Sequence, residues 1–137
     1  MREIEFRAFI EYKNLDCGFP DYTLMMNVHS IDFVRGKLKA GNINETYKIE
    51  DVKLIQYTGI KDKNGVKIFE GDIVKDEHKR LFVIEYKFGG FNIVPINCYN
   101  DEFSWNPLGD MQTAGWLNES AEIIGNIYEN KELLEVK

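Results

Sequence analysis

Residues 81–98, LFVIEYKFGGFNIVPINC, decide the fold class of this chain. Two runs rich in β-branched and aromatic residues, 81–88 and 91–98, flank a pair of glycines, which favours a strand on each side of a tight turn. Glycine reaches the positive φ values that two-residue hairpin turns need. The segment therefore predicts a β-hairpin that turns at Gly89-Gly90.

The register of this hairpin follows from the position of its turn. A two-residue turn at Gly89-Gly90 predicts five opposed pairs: Phe88 with Phe91, Tyr86 with Ile93, Ile84 with Pro95, Val83 with Ile96 and Leu81 with Cys98. Since proline cannot donate a ladder hydrogen bond, the strand that contains Pro95 is expected to be exposed or bulged there.

Short strand-like segments separated by turns surround the hairpin. Residues 1–10 alternate apolar and charged side chains with the period of two that is typical of a strand. The apolar stretch 22–34 also favours strands, and the glycines and asparagine at 36, 41 and 42 indicate a loop after it. Further strands are predicted at 52–58, 67–74 and 121–129, an irregular segment at 99–119, and an Asn-capped helical turn from Asn130.

Composition limits the class of protein. A chain of 137 residues suits one domain, and 44% hydrophobic with 13% aromatic residues can supply a buried core. The net charge of −6, from 23 acidic and 17 basic residues, disfavours non-specific binding to phosphate backbones. A local basic patch stays compatible with that sum, because the distribution of charge matters more than its total.

Cysteine usage and hydropathy predict a cytoplasmic protein with no membrane partner. Cys17 and Cys98 are too few and too far apart for a disulfide framework. The charged and apolar alternation at the N-terminus does not fit a signal peptide, which needs an apolar run of roughly 7–15 residues. No apolar run approaches the roughly 18 residues of a membrane span.

Three motifs, Phe6-Arg7-Ala8-Phe9, QYTGIKDKNG at 56–65 and IGNIYEN at 124–130, occur in this order along the chain and together resemble the YopX family. Phe6-Arg7-Ala8-Phe9 looks like its opening motif, and residues 56–65, QYTGIKDKNG, are similar to its central signature, which continues through 68–74, IFEGDIV. Residues 124–130, IGNIYEN, followed by Glu132-Leu133-Leu134, resemble its closing motif. Phe9 stands where the family more often has Trp, and Lys131 where Pro is common.

The resemblance implies a phage or prophage origin, in a bacterial host cell, and an SH3-type small β-barrel in the second half, with no established reaction. We therefore expect a mainly β protein: a β-rich N-terminal extension at 1–50 packed on an SH3-like barrel at 51–137, which ends in a short helical turn. The signature residues are interpreted as structural: Gln56, Tyr57, Thr58, Gly59, Asp62, Gly65, Gly71, Asp72, Gly125 and Asn126.

Known cofactor motifs fail on their spacing, so we expect no cofactor and no metal. An EF-hand loop with Gly65 as its glycine would need ligands at Ile60 and Gly71, which carry none. A Walker A loop needs Lys and Ser or Thr after its second glycine, but Val66 follows Gly65. The two histidines and two cysteines are scattered singly, unlike the closely spaced ligands of a zinc site.

Three carboxylates around the central signature allow one catalytic hypothesis. Asp62, Glu70 and Asp72 could hold Mg²⁺ or serve acid–base chemistry if they converged. The favoured interpretation is structural: Asp72 accepts backbone N–H bonds at the start of a strand, as aspartate does in many turns.

A possible binding surface combines aromatic and basic residues, namely Phe103, Trp105, Trp116, Lys79, Arg80 and Lys87. Flat aromatic faces stack on bases or anchor a protein partner, although they also cap open ends of small barrels. The leading hypothesis is a non-enzymatic binding module that forms a homo-oligomer or binds a protein partner, because small barrels leave edge strands to cover. A nucleic-acid-binding barrel and a metal-dependent hydrolase are the alternatives.

Overall fold

The computed structural model describes residues 3–12, 21–87, 89–96, 106–108 and 111–135. In chain order, its elements are β1 (Phe6–Tyr12), β2 (Tyr22–Asp32), β3 (Lys37–Ala40), β4 (Glu45–Lys48), a 3-10 helix (Ile49–Asp51), β5 (Lys53–Lys61), β6 (Lys67–Phe69), β7 (Asp72–Lys75), β8 (Leu81–Lys87), β9 (Gly90–Pro95), β10 (Asn106–Pro107), α1 (Met111–Ser120), β11 (Glu122–Asn126) and a second 3-10 helix (Lys131–Glu135).

The fold is mainly β, as the sequence predicts. All strand pairs in the described ranges are antiparallel, and α1 is a short helix of ten residues. The chain divides into an N-terminal unit, Ile4–Gln56, and a C-terminal unit, Met1–Glu3 with Tyr57–Lys137. The described strands form open sheets, so the closed SH3-type barrel and the packing of residues 1–50 on it stay predictions.

The N-terminal unit is one antiparallel sheet in the order β4-β3-β2-β1, continued by the first half of β5. The strand prediction for 22–34 is confirmed by β2. The loop predicted around Gly36, Gly41 and Asn42 is not one continuous loop. Strand β3 lies between Gly36 and Gly41, and β4 follows Asn42. Alternating Lys37-Leu38-Lys39-Ala40 has the period of a half-buried strand, and its burial alternates accordingly.

This sheet must curl, because a short connection joins its opposite edges. Four strand spacings in a flat sheet would separate β4 from β5 by about 19 Å. Only residues 49–52 lie between them, and three of these form a 3-10 helix that rises about 2 Å per residue. Ala8, Leu38 and Ala40 are 0–2% exposed on the concave side, where Ile49 and Val52 pack against them.

The C-terminal unit contains the sheet β10-β9-β8-β7-β11, while β6 pairs with the second half of β5. Helix α1 contributes Leu117, which is fully buried, to a core that contains Val74, Ile84 and Ile93. The irregular segment predicted at 99–119 therefore ends in a helix, and most of its remainder lies outside the described residues. The strand at 121–129 is confirmed in part by β11.

The predicted hairpin is present, but its predicted register is wrong by two residues. Tyr86 pairs with Phe91 and Ile84 with Ile93, and Lys87 with Gly90 closes the turn. Gly89 therefore takes the second turn position, at φ +79°, while Gly90 begins β9. The Asn92 amide stabilises this register, because its Nδ2 donates to the carbonyls of Lys87 (2.9 Å) and Gly90 (3.2 Å).

The other predicted pairs of the hairpin shift in the same way. Val83 pairs with Val94 and Phe82 with Pro95, so the predicted pairs of Val83 with Ile96 and Ile84 with Pro95 are wrong. A shift of two leaves every side chain on its predicted face, because the side-chain period of a strand is two. The pairs predicted for Phe88 and Cys98 involve residues outside the described part of the chain.

The strand predicted at 67–74 is two strands, β6 and β7, with a turn at Glu70-Gly71 between them. Gly71 has φ +85°, which an L-residue in a strand does not adopt. Its N–H donates to the Ile84 carbonyl at 2.7 Å, and its own carbonyl accepts from Ile127 N–H at 2.8 Å. The N–H and the carbonyl group of Gly71 are therefore both hydrogen-bonded to neighbouring segments.

Candidate functional site

Asp62 organises the turn at the centre of the family signature. Its Oδ1 accepts the backbone N–H groups of Asn64 and Val66, each at 2.9 Å, and its Oδ2 accepts Ile123 N–H at 3.1 Å. The residue is 4% exposed, and Lys63 N–H donates to the Ala121 carbonyl nearby. One carboxylate therefore both closes the turn and attaches it to the start of β11.

Asp76 builds a second turn with the same hydrogen bonds. Its Oδ1 accepts the N–H groups of His78 (3.0 Å) and Arg80 (2.8 Å), and its own N–H donates to the Arg80 carbonyl. The residue three positions after the aspartate has positive φ in both turns: Gly65 at +79° and Lys79 at +63°. The two turns thus differ at the position where glycine is favoured.

Replacing Lys79 with glycine is expected to stabilise the protein by about 1 kcal/mol, because a left-handed conformation costs an L-residue about 1–2 kcal/mol. Glycine also loses more chain entropy on folding, which limits the gain. Urea unfolding midpoints of the parent and Lys79→Gly check this. Gly65→Lys, the reverse change in the matching turn, is expected to be destabilising. A lower midpoint for Lys79→Gly than for the parent would contradict the argument from the positive φ of Lys79.

Gly71 and Tyr128 are in close contact. A Cβ built on Gly71 would lie 2.5 Å from Tyr128 Cε2 and 3.1 Å from both Cζ and the phenol oxygen. A glycine is therefore required at this position by the ring as well as by the backbone. Partial burial, with Glu70 and Asp72 nearby, raises the pKa of Tyr128 to about 12.

Tyr128 is expected to make the protein less stable at alkaline pH. An unfolded tyrosine ionises near pH 10, whereas the folded chain keeps this proton to about pH 12. Unfolding therefore releases a proton between these values, and stability falls as the pH rises from 10 to 12. Unfolding midpoints from pH 9 to 12 should fall less steeply for Tyr128→Phe, while the exposed Tyr86→Phe should follow the parent.

Gly125 and Asn126 are the last two residues of β11 and precede the turn at 127–129. The Asn126 Oδ1 accepts the N–H groups of Tyr128 (3.0 Å) and Glu129 (2.8 Å). Asn130 Oδ1 accepts Asn126 N–H at 3.1 Å, so its side chain bonds backwards rather than capping the 3-10 helix that follows. A Cβ on Gly125 would lie 2.6 Å from this Asn130 oxygen. The closing motif is thus a second close-packed glycine site.

The remaining signature residues lie on β5. Tyr57 is 4% exposed and its ring packs on that of Phe69 at 5.5 Å between centroids. The Thr58 hydroxyl donates to the Ile68 carbonyl at 2.7 Å. Gln56 ends the part of β5 that pairs with β1, and Gly59 has φ +89° within a register shift of β5 against β6. The central signature therefore carries turn, pairing and packing roles.

Two of the three carboxylates of the hydrolase hypothesis, Asp62 and Asp72, bind backbone amides. Asp72 is 5% exposed and its Oδ2 accepts Phe69 N–H at 2.8 Å, as the structural interpretation expects. Asp62 accepts three N–H groups, and Glu70 has interactions of its own. In the ranges that the structure describes, no three His, Cys, Asp or Glu side chains are grouped to hold a metal ion.

The predicted aromatic and basic surface is only partly assembled. Trp116 packs edge-on against the buried Phe82 at 5.2 Å, and the Arg80 guanidinium lies 5.9 Å from the same ring. Arg80 also donates to the buried Asp76 Oδ2 at 2.6 Å. Lys79 precedes β8 and Lys87 ends it, so the strand separates them by roughly 20 Å. Phe103 and Trp105 lie outside the described residues.

A groove of about 530 Å³ lies within the N-terminal unit and was not predicted. Its apolar lining includes Leu24, Met26, Ile43 and Tyr47, and its polar lining includes Glu45. Ile43 is 80% exposed at the mouth. The Tyr47 hydroxyl donates to Glu45 at 3.0 Å. Arg7, Asn27 and His29 also line the groove, so it offers both apolar and polar contacts to a partner side chain.

Strand β4 is the edge of the N-terminal sheet. It pairs with β3, and no strand in the described part of the chain pairs with its other side. Exposed apolar side chains flank both of its ends: Ile43 precedes it, while Phe33 (75% exposed) and Val34 (97%) lie in the β2–β3 turn near its end. The period-two pattern of 37–40 is a sequence signal for β3, the strand that pairs with β4, whereas the edge position of β4 depends on the strand order.

Fold and site together define a class: a mainly β protein of two sheet-containing units, whose turns are held by aspartate, asparagine and glycine. The chain belongs to the YopX family, since the family described as YopX protein matches residues 5–135. The resemblance predicted from the motifs is therefore confirmed. No curated protein matches the sequence.

A solved structure has a similar fold. The crystal structure of protein EF1440 from Enterococcus faecalis matches with a TM-score of 0.50 and 24% sequence identity, over 98% of this chain and 99% of that chain. At this identity the likeness shows the fold alone. Among the described residues, no helix is long and apolar enough to cross a membrane.

Proposed function

We propose that this protein is a non-enzymatic interaction module that binds a second copy of itself through the edge strand β4. The observation that carries the proposal is the outer side of β4, with which no described strand pairs and which exposed apolar side chains flank at both ends. Unpaired strand edges are templates for pairing with another chain, and a two-fold dimer covers two edges at once.

The sequence of β4 is compatible with pairing to itself. Two antiparallel copies centred on Thr46 would place Thr46 opposite its equivalent and Glu45 opposite Tyr47 of the partner copy. Tyr47 already donates to Glu45 within one chain, so each phenol would gain a second carboxylate acceptor nearby. Lys48 would lie opposite Asn44 of the partner copy. No like charges are directly opposed in this register, and such opposition is what destabilises cross-strand pairs.

The apolar side chains beside β4 support the same partner. Ile43 and the turn residues Phe33 and Val34 are among the most exposed apolar side chains of the described residues. Covering them removes apolar area from water, which stabilises association by about 25 cal/mol per Å² before the costs of association. The groove next to Ile43 gives a partner side chain a place to pack.

Sedimentation velocity over a range of concentrations tests the proposal. The parent is expected to be a dimer and Thr46→Glu a monomer, because the two new carboxylates would face each other at the centre of the interface. Within its own chain the new carboxylate gains Lys39 as a cross-strand partner. The matched control is Thr23→Lys, which gains Glu11 as a cross-strand partner far from β4 and should stay dimeric.

Two outcomes would contradict self-association through β4. The first is a parent that stays monomeric at the highest concentration reached. The second is a dimer that Thr46→Glu and Thr23→Lys weaken equally, since the association would then depend on another surface. If the protein were a monomer that bound a different protein, that protein would be the partner of the module in place of a second copy.

Neither alternative function is supported by the described geometry at its predicted site. Two of the three carboxylates of the hydrolase hypothesis, Asp62 and Asp72, accept backbone N–H bonds. The basic residues of the nucleic-acid hypothesis lie at opposite ends of β8, and Arg80 is bound to Asp76.

We also infer that the C-terminal unit is an SH3-type small barrel. Support comes from its short strands, the β7-β8-β9 meander and the bulge in β11 between Ile123 and Gly125, a device that bends strands in barrels. An experimental structure with continuous hydrogen bonding around the strands is the expected result. Five strands in a flat, open sheet would overturn this inference.

The family resemblance and the low cysteine content support a phage or prophage protein located in the bacterial cytoplasm. Fractionation of cells that express the full chain should recover it with cytoplasmic markers. Recovery from the periplasm or the medium would contradict this location.

A further inference from the structure

One face of the β3–β4 hairpin carries three lysines. Lys37 and Lys39 alternate with the buried Leu38 and Ala40, so they lie on the convex side of the curled sheet. Lys48 is directly opposite Lys37 and shares its face. All three side chains are exposed. The hairpin therefore presents a compact basic surface, the convex lysine face, made of Lys37, Lys39 and Lys48.

The charges on this face are balanced only in part by nearby carboxylates. Lys37 and Lys48 form a directly opposed pair of like charges, which destabilises an antiparallel ladder. None of the three lysines has an ion-pair partner among the described residues. Asp32, directly opposite Lys37 on β2, offsets part of this cost, and an anionic ligand would offset more of it.

The acidic residues around the face leave it positive. Asp32 lies on the same face beside Lys37, but its Oδ1 accepts the N–H groups of Val34 and Arg35, each at 3.1 Å. Its other oxygen lies 3.8 Å from the Arg35 guanidinium. Glu45 is on the opposite, concave face with Tyr47. Glu50 lines a concavity together with Lys37 and Lys48.

Two concavities extend along this surface and share Arg35 and Lys37. The first, of about 350 Å³, is lined by Lys39, by the hydroxyl-bearing residues Ser30 and Thr46, and by Asp32. The second, of about 580 Å³, is lined by Lys48 and Phe33. Lysines beside hydroxyl groups are typical contacts of phosphate oxygens. An exposed aromatic ring next to them provides a surface on which a base can stack.

We propose that the convex lysine face, with Arg35 and Phe33, binds the sugar-phosphate backbone of single-stranded nucleic acid. Lys37, Lys39, Lys48 and Arg35 contact successive phosphates, and Phe33 stacks on a base. A single strand fits better than a duplex because its bases are free to meet the ring. This surface differs from the one predicted around Lys79 and Arg80, and it does not depend on self-association.

Fluorescence anisotropy with a labelled single-stranded DNA of mixed sequence tests the proposal. The parent should bind at low salt, with a slope of log K against log salt of about −2 to −3, since each neutralised phosphate contributes about −0.7 for single strands. The triple variant Lys37→Gln, Lys39→Gln, Lys48→Gln should lose most of this slope. Phe33→Ala should weaken binding roughly tenfold with an unchanged slope, because stacking is not ionic.

The matched control removes the same charge from the C-terminal unit. The triple variant Lys61→Gln, Lys75→Gln, Lys131→Gln should retain the affinity and slope of the parent. A loss of binding caused by unfolding can be distinguished from a loss of phosphate contacts. Because the convex-face variant removes the opposed pair Lys37 and Lys48, it should be at least as resistant to urea as the parent. Equal losses in both triple variants, or no binding by the parent at low salt, would overturn the proposal.

A second probe separates nucleic acid from other anionic surfaces. The parent should bind vesicles that contain an anionic phospholipid no more tightly than it binds the labelled DNA at equal phosphate concentration. The convex-face variant should bind the vesicles and the DNA with equal affinity. Vesicle binding without DNA binding would replace nucleic acid with a membrane surface as the partner and overturn the proposal.

Discussion

Replacing Gly71 with alanine is expected to lower the free energy of unfolding by about 3 kcal/mol. The left-handed backbone accounts for about 1–2 kcal/mol of this loss. The new methyl group, 2.5 Å from the Tyr128 ring, adds the cost of overpacking, about 1–3 kcal/mol. Because small domains are stable by only about 5–15 kcal/mol, a loss of this size would show clearly as a shift in the urea midpoint.

Gly65→Ala is the matched control for this prediction. Gly65 has nearly the same φ as Gly71, +79° against +85°, but a Cβ built there meets no heavy atom within 4 Å. The difference between the two variants therefore measures the contact with Tyr128 alone. If both variants lost the same stability, the close packing of Gly71 on Tyr128 would be contradicted, and only the backbone argument would remain.

The second large effect is expected for Asp62→Ala, which should destabilise the protein by about 3 kcal/mol. Three backbone N–H groups lose their acceptor, and an unsatisfied buried donor costs about 1–3 kcal/mol. Two of these donors lie in the turn, where water can replace the carboxylate in part. The third, Ile123 N–H, has less access, so its hydrogen exchange should accelerate most.

Asp32→Ala is the comparison for Asp62→Ala. Asp32 also accepts two turn N–H groups, but its side chain is 43% exposed. Water can therefore satisfy the freed donors, and the expected loss is about 1 kcal/mol. Asp62→Asn should fall between the parent and Asp62→Ala. Equal losses for Asp62→Ala and Asp32→Ala, with unchanged exchange at Ile123, would contradict the attachment of this turn to β11.

The sequence predicts strands where composition and period agree, and it fails where one side chain decides the geometry. The two strands around Gly89-Gly90 are recognisable from their aromatic and β-branched residues. The register depends instead on the Asn92 amide, which binds the carbonyls of Lys87 and Gly90 and moves the turn by one residue. Composition of the strands contains no signal for such a bond.

Gly71 illustrates a second limit. A run of apolar residues on both sides of it resembles one continuous strand, and the break is visible only as a positive φ together with the Tyr128 ring, which is distant in sequence. In contrast, β3 was recognisable, because Lys37-Leu38-Lys39-Ala40 alternates correctly. The neighbouring glycines favour a loop interpretation, although Gly36 and Gly41 lie in the two turns directly before and after β3.

The candidate site shows the same division between local and distant information. The roles of Asp62 and Asp72 as acceptors of backbone N–H groups follow from local turn chemistry and were predictable in kind. The edge position of β4 and the groove depend on strand order, which pairs segments far apart in the chain. For that reason the sequence favoured the aromatic residues near β8 over the surface of the N-terminal unit.

The most direct test of self-association through β4 is an isotope-filtered NMR experiment on a mixture of labelled and unlabelled protein, which detects only contacts between copies. The account predicts contacts between β4 of one copy and β4 of the other, strongest between the two Thr46 residues across the two-fold axis. Intermolecular contacts confined to another surface, or none at a concentration where the protein is dimeric, would contradict it.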